Sequence, residues 1–106
     1  MSKYIFIYHG GKQFESKEEG MAHMQAWRQW MQGLGDAIID PGTPVGKSYT
    51  VSKDGVAQDG GPNPMSGLTT ITAENIDEAC KLASACPHLN IGGTIEVAEA
   101  MDLPME

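Results

Sequence analysis

The sequence predicts an α+β domain, one four-stranded antiparallel sheet carrying two helices on the same face. Two stretches, residues 16–34 and 75–83, repeat apolar residues at helical spacing and open on capping-box residues. Four short β-branched or aromatic runs surround them, each bounded by Gly, Pro or Asp. The order is strand, helix, strand, strand, helix, strand, and two right-handed crossovers of that kind give a ferredoxin-like βαββαβ layer. The sheet's second face then needs covering, which a homodimer achieves by burying sheet against sheet.

Each element has a local reason. Residues 3–8, KYIFIY, form an apolar run that stops at Gly10 and Gly11, as a buried strand should. In the first helix Ser16 suits the N-cap and Glu19 the position three residues on. Met24, Ala26, Trp27, Trp30, Met31 and Leu34 fall on one side, Lys17, Gln25, Arg28, Gln29 and Gln32 on the other, and His23 lies within the apolar arc. Gly35 suits a left-handed C-cap. Residues 37–39 are briefly extended before the turn signal Asp40-Pro41-Gly42, and residues 45–52, VGKSYTVS, alternate enough for the second strand. Residues 56–64 carry too much Gly, Pro and Asp for anything but an exposed connection. Residues 67–73 are the third strand. Asn75 caps the second helix, Ile76, Ala79, Cys80 and Ala83 face its core, and Pro87 stops it. Residues 88–93 connect to the fourth strand at 94–98, and the last residues read as a fraying tail.

Composition narrows the function. A chain of 106 residues makes one domain, 1–106. Seven Lys and Arg against 14 acids, a net charge of −7, exclude a nucleic-acid footprint and disfavour an anionic membrane surface. No apolar run reaches the ~18 residues of a membrane span, and the N-terminus lacks a signal-peptide pattern. Cys80 and Cys86, about 9 Å apart along a helix, exceed disulfide reach, so both are expected as free thiols in a cytoplasmic protein.

Histidine carries most of the chemical interest. His23 beside Trp27 and Trp30 reads as a general acid or base in a pocket between helix and sheet, with the two tryptophans as binding walls. The competing reading is a packed histidine in a non-catalytic module that binds a ligand or a protein. Cys86 as a nucleophile would need an imidazole such as His88, but a helix C-terminus raises a thiol's pKa. His88 itself suits a cap for the last carbonyls of the second helix. Asp40 reads as an Asx-turn former and also as a carboxylate partner for His23, and His9 as an exposed strand end. No ligand spacing points to a metal and no glycine-rich loop to a nucleotide, so no cofactor is expected.

Several stretches together resemble the YCII-related (DGPF) domain family: Asn63-Pro-Met-Ser-Gly67, residues 86–97 (CPHLNIGGTIEV), the AHMQAW segment of the first helix and the Asp40-Pro-Gly-Thr-Pro turn. The resemblance implies dimeric α/β barrels of ferredoxin-like subunits, with His23 at the family's first-helix histidine. The aspartate that pairs with it in some members falls at Cys86 here, and Asp59-Gly-Gly-Pro62 lacks the signature's phenylalanine. The resemblance implies an enzymatic role only through that His–Asp pair; with His23 as acid or base, the expected activity is a cofactor-independent lyase- or isomerase-type proton transfer on a small molecule.

Overall fold

A computed structural model describes residues 1–102. Its elements are β1 (Ser2–His9), α1 (Lys17–Leu34), β2 (Ile38–Pro44), β3 (Thr50–Ser52), β4 (Gly55–Ala57), β5 (Met65–Ala73), α2 (Ile76–Ala83) and β6 (Thr94–Glu99). Short 3-10 turns at Gly35–Ala37 and Pro87–Ile91 lead into β2 and β6. Four strands form one antiparallel sheet in the order β2-β5-β1-β6. With two helices, that order is compatible with the ferredoxin-like layer. Of the tail expected to fray, residues 103–106 lie outside the described residues.

The pleat sorts the sheet into two faces. Tyr4, Phe6 and Tyr8 of β1 and Thr69, Ile71 and Ala73 of β5 are buried beneath the helices. Their neighbours Ile5, Ile7, Leu68 and Thr70 point the other way and are only half-buried. Both helices cap as their sequences dictate. Ser16 accepts from the Glu19 amide at 3.1 Å and Asn75 from the Glu78 amide at 2.9 Å, each satisfying an otherwise orphan donor. The Glu19 carboxylate reaches back to the Glu15 amide at 3.3 Å.

The second sheet strand differs from expectation. It is residues 38–44, through Asp-Pro-Gly, rather than residues 45–52. Prolines are tolerated because β2 is an edge strand with one side free of ladder bonds. Two register shifts absorb the turn: the Asp40 carboxylate accepts from the Gly42 amide at 2.8 Å inside the strand. Gly42 has φ 76°, and a Cβ there would strike the Leu68 carbonyl, so no other residue lets β2 lie this close to β5. The expected second strand contributes only Thr50–Ser52 to a separate ribbon with β4, whose Val51 and Val56 are 75% and 62% exposed. With no surface to pack on, its alternation does not bring it into the sheet.

Candidate functional site

Beneath α1, at the end of the sheet where β1 runs out into Gly10-Gly11, lies a cavity of about 700 Å³. One wall is α1, through His23, Met24, Trp27, Arg28 and Met31. The floor is Tyr8 with the 66–69 segment of β5, the far side is residues 41–44, and His88 and Ile91 close the inner end. Phe14 rests on the His23 ring, centroids 5.0 Å apart, and packs over Gly20 at the mouth.

Tyr8 is the anchor of the floor. Its hydroxyl donates to Thr69 Oγ1 at 2.8 Å, and Thr69 donates on to the Pro41 carbonyl at 3.0 Å. The chain of bonds fixes β2, β5 and β1 to each other under the cavity. Burial pushes the phenol well above its usual range, so Tyr8 stays a neutral donor. Trp27 meets its ring edge-on at 5.2 Å, and His88 does so at 5.4 Å.

Two histidines line this cavity with complementary roles, dictated by their partners. Trp27 Nε1–H, which can only donate, donates a hydrogen bond to His23 Nε2 at 2.7 Å. His23 is therefore neutral with its own proton on Nδ1. Desolvation lowers its pKa most, and the repulsion that a second protonated ring at His88 would exert adds to this, so both favour that form. His88 is the opposite case. Its Nε2–H donates to the His9 carbonyl at 2.8 Å, which can only accept. The lone pair of His88 is thus on Nδ1, on the ring edge that faces Gly11. The ring lies flat over Gly93, where any Cβ would overlap it. Glycine at 93 is what lets the imidazole seat against the strand.

Other expected site residues sit elsewhere. Trp30 does not line the cavity: it stacks on Phe6 at 6.2 Å and donates to the Leu82 carbonyl at 3.1 Å, tying α1 to α2. Its indole N–H found a buried carbonyl across the core, so it is not available as a binding wall. Asp40 is held by its own turn and is no cavity residue. Cys86 is buried behind the cavity, its thiol pushed up to about 11 by desolvation, which leaves it a small apolar filler. His88 does not cap α2, because the chain turns at Pro87 and sends the ring to β1 instead.

His9, read from sequence as an exposed strand end, is buried on the opposite side of β1. Its Nδ1 faces the Asn63 and Pro64 carbonyls at 3.1 and 3.3 Å, and its Nε2 faces the Glu96 carboxylate at 3.0 Å. Every partner is an acceptor, so the site favours the imidazolium, the one form in which both nitrogens donate. The Glu96 carboxylate raises its pKa most, with the two carbonyls adding to this against the cost of burial. His9 thereby clamps residues 63–64 to β6 while its own carbonyl orients His88.

Among the described residues no three His, Cys or carboxylate groups meet as a metal site, and no helix is long and apolar enough to cross a membrane. Both cysteines are free thiols. No family model matches the chain, and no curated protein matches it.

Proposed function

We propose that the protein binds a small, largely apolar molecule beneath α1 and moves a proton on it without a cofactor, as a lyase or isomerase does. The observation that carries this reading is the pair of complementary imidazoles on one cavity, a lone pair on His88 and an N–H on His23. His88 Nδ1 takes a proton from carbon beside a carbonyl, and the electron pair moves onto the carbonyl oxygen, which His23 Nδ1–H stabilises. The His88 imidazolium then returns the proton to the γ-carbon of a β,γ-unsaturated substrate, shifting the double bond, or gives it to a β-substituent that leaves with its bonding pair. The mostly aromatic and apolar lining strengthens both hydrogen bonds to the reacting group. Compared with the sequence-based expectation, the base moves from His23 to His88, because Trp27 occupies the only lone pair on His23.

The same reading makes the protein a cytoplasmic homodimer of the YCII-related type, two sheets meeting through their open faces into a barrel. Half-exposed Ile5, Ile7 and Leu68 on that face support it, as do the two free thiols.

Deuterium uptake tests the chemistry. The protein is incubated in D2O with a panel of small unsaturated and aromatic ketones and acids, and carbon-bound deuterium is read by mass spectrometry. Uptake by wild type, abolished in a folded His88→Gln and reduced in His23→Phe, is the expected result. Ligands that bind near Trp27 without any exchange would instead favour a non-catalytic binding module, in which both histidines only hold the ligand.

A further inference from the structure

The charges around the cavity are sorted in a way that its shape alone does not require. The chain carries 14 acids against 7 Lys and Arg, yet among the described residues no Asp or Glu lines the cavity, whereas Lys12 and Arg28 do. The two cations are not equivalent. Lys12 Nζ lies 3.3 Å from the Glu19 carboxylate, so much of its charge is already matched. Among the described residues Arg28 has only a neutral partner, the Gln25 side-chain oxygen at 3.4 Å, and it stands one residue beyond Trp27 on the exposed rim. Its planar guanidinium is suited to hold a carboxylate by two parallel hydrogen bonds. Inward of it the walls are aromatic or thioether: Trp27, Met31, Phe14 and the edge of Tyr8.

We infer that the ligand is a ring-sized apolar or aromatic monoanion, its carboxylate at Arg28 on the rim and its ring against the wall that Trp27, Met31 and Tyr8 form together. The inference rests on the proposed small-molecule site and adds its substrate class. In an acidic protein, a carboxylate-free cavity is where an anion meets the least repulsion, and a cation finds no counter-charge there. The anchoring group also places the ring's other end toward His88, so the reacting carbon is the one remote from the carboxylate.

Three probes of one shape separate the class from the site: 2-naphthoate, neutral 2-naphthalenemethanol and cationic 2-naphthylmethylammonium, each titrated while following Trp fluorescence. The naphthoate is expected to bind at least about tenfold more tightly than the alcohol, the worth of one good charge-assisted contact. Arg28→Gln, on an exposed helix position, should erase that difference while leaving the alcohol's affinity unchanged. Raising the salt to about 1 M, where screening reaches about 3 Å, should shrink it too. Equal binding of acid and alcohol, or preference for the ammonium, overturns the anion class while leaving the pocket standing. If none of the three quenches Trp fluorescence in the folded protein, both the anion class and the site beneath it fall.

Discussion

The two helices lie on one sheet and use it in opposite ways. Helix α2 presents Ala79 and Ala83, which are buried, Ala79 completely at 0% exposure. Side chains that small let the helix come down onto the strands and seal them. Helix α1 is more than twice as long, yet Leu34 is its one buried residue. Trp27, Trp30 and Met31 are half-buried and Met24 is 53% exposed, because bulky side chains hold the axis away from the strands. The space kept open is the cavity. Side-chain size on the buried stripe, rather than the strength of the amphipathic pattern, thus decides which helix seals the sheet and which stands over a cavity.

Breaking the seal should have the largest effect. Ala79→Leu overpacks a site with no free volume and should cost about 3 kcal/mol, a Tm lowered by roughly 10 °C or more. A volume-conserving Met31→Leu at the cavity wall should change stability by less than about 1 kcal/mol. Equal losses from the two in a thermal melt would mean that α1 is as tightly seated as α2.

The next effect distinguishes the two cavity histidines. His88→Phe removes a buried donor and leaves the His9 carbonyl unpaired, expected at about 2 kcal/mol in urea unfolding. His23→Phe on the standing-off helix should cost under about 1 kcal/mol, since its site is open to water. A reversed order would place His23, not His88, in the fixed part of the structure.

Trp27→Phe acts on titration more than on stability. Without the indole N–H bonded to the neutral ring, the His23 midpoint should rise, which an NMR pH titration reads directly. An unmoved midpoint would show that the bond does not hold the tautomer.

The smallest effect is pH dependence, and the two faces of β1 give it opposite signs. His9 has a raised pKa, so its contribution is complete below the ordinary ~6.5 of histidine and is lost as pH rises through the folded value. His23 has a lowered pKa, so its contribution is present above ~6.5 and is lost as pH falls through the folded value. Glu96→Gln should flatten the alkaline limb of the stability curve and leave the acidic limb alone.

The contrast between the helices was only half legible in the sequence. Caps at Ser16 and Asn75, the apolar stripes and three of the four sheet strands follow from local patterns, because the forces that make them act within a few residues. The second strand was misplaced because an edge position, a property of the whole sheet, decides whether Pro41 and Pro44 are tolerated. His23 and Trp27 were recognisable as neighbours four residues apart on one helix. The lone pair that His88 turns to the cavity was not legible, since its partner carbonyl lies 79 residues away in the chain. A faint signal existed in Gly93 and in Gly10-Gly11, glycines that make room for that ring and for the cavity mouth. The charge on His9 was hidden for the same reason, its partners lying 54 to 87 residues away.

The most direct measurement is a long-range ¹H–¹⁵N spectrum of the imidazole rings at about pH 7.5, which reports the protonated nitrogen of each neutral histidine. His88 should appear as the Nε2–H tautomer and His23 as the Nδ1–H tautomer, while His9 should show more imidazolium than an unperturbed histidine at the same pH. His88 protonated on Nδ1, or His23 on Nε2, would remove the lone pair and the donor from the cavity and contradict the proton-transfer site.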